Sequence, residues 1–506
     1  MKIKTLVFPL LFIAGIFCFS GIAANAQDIP GKRDSINSAI LKEKRIISVV
    51  LPRNFKAGSN QKYDVLYVLD GDGNTKTATG VQQFIEDEAF MPPIIIVGVL
   101  NTDRNRDLTP THMGDNKTSG GADKFLGFLK NELIPYVNKN YPSNGDNTLF
   151  GHSFGGLFVT YVLFNDPGLF KSYIAADPSY WWDSNYMNKI APTKLPLLAG
   201  FNKTLYISGR EGQPYAGMGI VAMDTLLKKY APPSLLWKDL AYPDETHGSV
   251  RLKSLYDGLK FTYGGFTDKG PEFYPSNGII VAGKPIKIWH YADPSRVRYT
   301  TDGTEPTLAS APLKEEITLS VPGKITAKVF SNRERYNKTT TGEFKAGAYL
   351  PPATKPDNMK PGGFNYSYYE GNWDKLPDFN KLKPIKTGIT DSSFNIDKMP
   401  QQNNFALLVT GQLEVKQDGY YVFVLNSDDG SKLYLADKLL IDDDGLHGDS
   451  DTKAFIVPLQ KGFYSLRLEY FQRDGGRTLR LTYLTPFTMP FKNSSFIPLW
   501  LQWGVK

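Results

Sequence analysis

Asn147-Thr148-Leu149-Phe150-Gly151-His152-Ser153-Phe154-Gly155-Gly156-Leu157 decides the fold of the first half of the chain. The run Thr148 to Phe150 reads as a strand, and Leu157 to Phe164 is helix-prone. Between them stands Gly-x-Ser-x-Gly. A serine on such a strand-to-helix turn holds its oxygen exposed at the end of a sheet, while the glycines let neighbouring backbone approach. The bland alternative is a tight turn carrying an inert serine. The strand before and the helix after favour a nucleophile.

Working outward, short apolar runs alternate with helical segments from about Ile46 to Tyr263. The strand candidates are Tyr63 to Leu69, Ile94 to Val99, Asn147 to Phe150 and Thr204 to Ile207; the helix candidates are Ala122 to Asn138 and Asp224 to Lys229. Continuous apolar strands separated by helices predict a mostly parallel sheet flanked by helices, an α/β hydrolase fold over residues 34–266.

A serine hydroxyl needs a base to accept its proton. In hydrolases built on this elbow the acid and then the histidine follow the serine in the chain. His112 comes too early and His152 stands beside the serine, which leaves His247, in the polar loop Tyr242 to Ser249. The orienting acid is Glu211, after the late strand Tyr206 to Ile207, or Asp177, after an earlier strand; Asp244 and Glu245 are further alternatives. Asp177 could instead shape a substrate pocket with Trp181 and Trp182. Acyl transfer also requires donors for the developing oxyanion, expected from the backbone N–H groups of Phe154 and Asp72.

With these motifs in order, the segment resembles the esterase family of α/β hydrolases that includes esterase D, feruloyl and acetylxylan esterases, mycolyltransferases and enterochelin esterases. Tyr63 to Gly71 is similar to the family's first core strand and oxyanion turn, Asn101 to Pro110 to its R-x-R-D-x-T-P loop, and Pro243 to Val250 to its histidine loop. The resemblance implies a serine carboxylic ester hydrolase without a metal in the esterase segment. Arg104 and Arg106 then become candidate substrate contacts, unless they pair with Asp103 or Asp107 to rigidify their loop.

After Gly264-Gly265 helical periodicity disappears, and short strands punctuated by Gly, Asp, Asn and Pro predict two all-β domains, over residues 272–346 and 357–490. Arg298 to Thr307, with its Asp302-Gly303 turn, resembles the C-terminal β-sandwich of chitobiases and β-hexosaminidases. Asp418 to Phe423, Ser427 to Leu435 and Lys461 to Tyr464 resemble a PA14 domain. That resemblance implies a polysaccharide partner, and calcium held by Asp428 and Asp429. Asp-Asp-Gly is also a common surface turn, and the run Asp442 to Asp444 has the same ambiguity.

The net charge of +7 is spread along 506 residues without a basic tract, so no nucleic-acid partner is expected. Lys2, Lys4, the apolar run Leu6 to Phe19 and Ala24-Asn25-Ala26 form an export signal expected to be cut after Ala26. No spanning segment is expected thereafter, and the protein is placed in the periplasm, at the cell surface or outside the cell. The single cysteine, Cys18, lies within the signal, which excludes disulfides and thiol catalysis from the processed chain. The expected substrate is an acetyl or feruloyl ester on polysaccharide; the rivals are a ferric siderophore ester and an inactive carbohydrate-binding protein.

Overall fold

The computed structural model describes residues 30–290, 294–449 and 452–505, and the expected export signal lies outside them. The chain divides into two compact units. The first runs to Glu88 and again over Pro93–Thr262; the second holds Ala89–Pro92 and everything from Tyr263 onward.

In the first unit eight strands form one sheet: β1 (Lys32–Ser38), β2 (Glu43–Val50), β3 (Tyr63–Val68), β4 (Ile94–Val99), β5 (Ser143–His152), β6 (Ser172–Ala176), β7 (Lys203–Arg210) and β8 (Leu235–Tyr242). Their order is β1-β2-β4-β3-β5-β6-β7-β8. β1 and β2 are antiparallel to their neighbours, and all pairings from β4 to β8 are parallel. Every residue of β3, β4 and β6 is buried, which is why these strands read as unbroken apolar runs. This is the α/β hydrolase architecture expected from the sequence.

The helix expected over Ala122 to Asn138 is continuous but irregular. Ala122–Phe128 passes through a π-helical turn, Leu129–Leu133, into Ile134–Asn140. Pro135 explains the irregularity, since it has no N–H for the ladder and its ring crowds the preceding turn. The helix expected at Asp224 to Lys229 extends over Ile220–Tyr230, starting behind Gly219 at φ 79°.

A buried ion pair fastens the loop before Ala122 to the sheet. Arg45, on β2 and 1% exposed, donates from Nη1 to Asp107 Oδ2 at 2.6 Å and from Nη2 to the Leu100 carbonyl at 3.1 Å. Its guanidinium lies over the rings of Phe125 and Phe128.

The second unit is all β. Strands from the two segments expected to be separate domains share one nine-stranded sheet, joined where Asn277–Val281 runs parallel to Lys338–Gly347 on one side and Thr452–Leu459 on the other. Gly278 permits the junction, because a Cβ there would lie 2.2 Å from Ile456 Cγ2 and 2.4 Å from its carbonyl oxygen. Across a core containing Phe405, Phe423, Leu466 and Leu481, a second sheet is built from Phe405–Val415, Gly462–Gln472, Ser431–Leu435 and their neighbours. Among the described residues no helix is long and apolar enough to cross a membrane.

Arg45→Ala leaves Asp107 with Arg106 as its one ion-pair partner among the described residues. Because removing one member of a buried pair leaves an uncompensated charge, the esterase unit should lose about 3 kcal/mol, read from denaturant titration of the full chain.

Candidate active site

The elbow forms as its sequence requires. Ser153 follows β5 directly at φ 60°, ψ −117°, and the helix Phe154–Asn165 starts immediately after it. The flanking residues allow this conformation by lacking side chains. A Cβ on Gly151 would lie 2.4 Å from the carbonyl carbon and oxygen of Gly155, and one on Gly156 would lie 3.0 Å from Pro178 Cα. The helix is buried on all sides from Gly155 to Phe164, so its first turn is held rigidly.

Asp177 and His247 meet beside this turn. Asp177 follows β6 directly, is fully buried, and accepts from His247 Nδ1 at 2.6 Å through Oδ2. The same oxygen accepts from Arg210 Nε, at the end of β7, also at 2.6 Å. Burial alone would raise the Asp177 carboxyl, but the hydrogen bonds from His247 and Arg210 outweigh it and hold the group below the ordinary carboxylate range. An ionised Asp177 fixes the His247 proton on Nδ1 and leaves Nε2 as the acceptor.

Glu211, the first choice for the acid, does not take this position. It is exposed, and its backbone N–H donates to the Tyr242 carbonyl in the β7–β8 ladder. Arg210, one residue earlier, reaches Asp177 instead. Asp177 therefore replaces Glu211 as the carboxylate against His247, and Asp244 and Glu245 are not its partners; Glu245 pairs with Lys253.

The ring of His247 lies 4.4 Å, centroid to centroid, from that of His152. Burial, followed by the charges of His247 and Arg251, pulls the His152 imidazole down to about 4. Arg251 steadies the histidine loop, donating from Nε to the Gly248 carbonyl and from Nη1 to Asn74 Oδ1. The Ser153 hydroxyl is hydrogen-bonded to Ser179 Oγ at 3.2 Å.

Phe154 and Asp72 both stand in first helical turns, whose N–H groups have no intrahelical acceptors. Gly155 brings the two turns together, a Cβ there lying 3.3 Å from Asp70 Oδ2 and 3.6 Å from Leu69 Cβ.

The two arginines read as candidate substrate contacts are engaged within the protein. Arg104 donates to both oxygens of Asp70 at 2.7 and 3.1 Å and to the His152 carbonyl at 3.3 Å, not to Asp103 or Asp107. Arg106 pairs with Glu43 and with Asp107. Of the two tryptophans, Trp182 is 3% exposed and donates from Nε1 to Thr111 Oγ1. Trp181 is 42% exposed, and both rings pack against Phe154.

The structure adds Ser179, Arg210 and Arg251 to the site. Ser179 had a sequence signal, since it shares Asp177-Pro178-Ser179 with the acid, whereas the arginines had none.

In the second unit Asp428 and Asp429 are buried, at 8% and 5% exposed, and Asp429 Oδ2 accepts the Arg473 N–H at 2.8 Å. Burial and then the charges of Asp429 and Asp449 raise the Asp428 carboxyl. The run Asp442 to Asp444 is paired with Lys432, Lys453 and His447.

A mostly parallel sheet, a strained serine elbow and a buried aspartate–histidine pair beside it define a serine hydrolase. Residues 38–196 match the family described as "Putative esterase", and residues 360–492 match the PA14 domain. The siderophore enterobactin esterase of Emericella nidulans is 36% identical over 253 residues, covering 40% of this chain and 83% of that protein. The ferri-bacillibactin esterase BesA of Bacillus subtilis is 30% identical over 191 residues, covering 34% of this chain and 66% of that one. Endo-1,4-beta-xylanase Y of Acetivibrio thermocellus is 27% identical over 164 residues, 28% of this chain and 14% of the xylanase. Among solved structures, an IroE-like serine hydrolase from Shewanella oneidensis is 33% identical with a TM-score of 0.43, covering 45% of this chain and 78% of that one. The chain belongs to the esterase family and is a carboxylic ester hydrolase of the serine type, with a PA14 domain in its second unit.

If Asp177 is the orienting acid, Asp177→Asn should lower kcat about a thousandfold or more, because the amide cannot stabilise the imidazolium, while Glu211→Gln should stay within about twofold. Steady-state hydrolysis of p-nitrophenyl acetate by both variants checks the assignment.

Proposed function

We propose that the protein hydrolyses a siderophore ester through an acyl-enzyme on Ser153. The observation that carries the reaction is the 2.6 Å contact between buried Asp177 and His247 Nδ1 beside the elbow. Ser153 attacks the ester carbonyl, and His247 Nε2 takes its proton and returns it to the leaving alcohol. The N–H groups of Phe154 and Asp72 receive the oxyanion, and water then repeats the sequence on the acyl-enzyme.

Two observations support the substrate class. The relatives that share most of their length with this chain are siderophore esterases. Beside the nucleophile, the exposed face is aromatic, formed by Trp181 and Phe154, while Arg104, Arg106 and Arg210 are held in internal ion pairs. Such a face suits an aryl-bearing ester.

A glycan-linked acetyl or feruloyl ester is the second reading, favoured by the PA14 domain and the xylanase relative. On that reading the PA14 domain holds polysaccharide near the esterase. The buried carboxylates Asp428 and Asp429 fit a hard cation such as calcium, which takes oxygen ligands and would offset their mutual repulsion. The export expected from residues 1–26 suits both readings.

Purified protein assayed on ferric and iron-free triscatecholate trilactones, acetylated xylan and feruloylated arabinoxylan separates them. Hydrolysis of the trilactone at least about tenfold faster in kcat/KM than of either glycan supports the siderophore reading, and the reverse order overturns it. Ser153→Ala should remove about a thousandfold or more of turnover on whichever substrate is cleaved.

A further inference from the structure

We propose that His152, Asp177 and His247 form a binding site for Zn2+ and that zinc bound there switches the hydrolase off. One ligating atom from each of the three residues lies within 4.8 Å of the others, and no other such group of three occurs among the described residues. Two imidazoles and a carboxylate are a donor set that zinc takes with three protein ligands and an open fourth position.

The hydrolytic arrangement leaves two of these donors unused. His152 Nε2 and Asp177 Oδ1 are both buried and have no hydrogen-bond partner among the described residues. Asp177 is fully buried, and its other oxygen, Oδ2, holds both His247 and Arg210. A buried polar atom left unpaired is destabilising, and a metal ion would pair two such atoms together.

The geometry requires one movement. Tetrahedral zinc, with bonds of roughly 2.0–2.1 Å, spaces its donors about 3.3 Å apart, so the three groups must draw together. Asp177 and His152 are fixed at the ends of β6 and β5, whereas the His247 side chain is 43% exposed on its loop. His247 is the member that moves. Coordination through Nε2 occupies the lone pair that would accept the Ser153 proton, and coordination through Nδ1 displaces the hydrogen bond to Asp177. Either mode removes the base.

The test uses the full chain, stripped with EDTA and dialysed. Calorimetric titration with ZnCl2 should show one site of roughly micromolar affinity. Hydrolysis of p-nitrophenyl acetate should fall saturably over the same concentrations and recover on adding EDTA, while Mg2+ and Ca2+, which prefer oxygen donors, should have no effect. In Ser153→Ala, Co2+ should give the visible absorption of a low-symmetry nitrogen and oxygen site. This signal needs no esterase activity, so a failed function and a failed metal site are told apart. His152→Phe keeps a ring against His247 but lacks the nitrogen, and it should raise the zinc concentration for half inhibition by about tenfold or more, as expected for losing a ligand. His152→Asn is the second variant should the phenylalanine not fold. Absence of zinc binding to the wild-type chain, or unchanged zinc sensitivity in both variants, overturns the proposal.

Discussion

One carboxylate oxygen, Asp177 Oδ2, ties the active site together. It accepts from His247 on the loop after β8 and from Arg210 at the end of β7, while the Asp177 backbone N–H donates to the Ser208 carbonyl of β7. A carboxylate with no exposure is tolerated because charged and polar donors compensate its desolvation. Arg210 keeps Asp177 ionised when His247 is neutral, and Asp177 supports the imidazolium when His247 carries the proton. Both demands fall on one atom, so strands β6, β7 and β8 must keep their register for the site to exist.

The elbow imposes a second constraint, on backbone rather than charge. Ser153 sits at positive φ without a glycine's freedom, a strain that persists only where the surroundings over-determine it. The over-determination is visible in the chain: the Ser153 N–H donates to the Ala176 carbonyl, and the Ser153 carbonyl accepts from both Leu157 and Ser179. The segment Ala176 to Ser179 thus supplies the carboxylate against His247, holds the Ser153 backbone and contacts the Ser153 hydroxyl. Asp177 and Ser153 are positioned against each other directly.

Local signals made the sheet, the elbow and His247 legible, because hydrophobic period and glycine spacing act over a few residues. The acid was not legible in the same way. Asp177 and Glu211 each follow a strand by one residue, and only the side chains at the strand ends decide which carboxylate turns inward. Arg210 takes the inward direction on β7 and leaves Glu211 in solvent, an outcome set by its fit to Asp177 across the sheet. The shared nine-stranded sheet of the second unit was equally hidden. It joins Asn277 and Gly278 to Phe455 and Ile456, partners nearly two hundred positions apart, and its one local trace is a glycine. Arg104 and Arg106 were legible as a motif and not as a function, since their partners Asp70 and Glu43 lie on other elements.

The fate of those arginines bears on what the site can select. A guanidinium bound in a fork to one carboxylate has few donors left, and exchanging that partner for a substrate anion strands the carboxylate. Arg104 is further committed to the His152 carbonyl and lies 5.2 Å from the Phe154 ring, so drawing it towards a ligand would loosen the elbow itself. On the proposed reading, selection near Ser153 rests on shape and aromatic surface. There Trp181 is the exposed member of a cluster whose other rings, Phe154 and Trp182, are fixed by the helix start and by Thr111. The three residues after Trp182, Asp183 to Asn185, all hold positive φ, and Trp181 is exposed just before them. An exposed indole on a fixed base offers flat, apolar rings contact area at little entropic cost, which supports the proposal of an aryl-bearing ester.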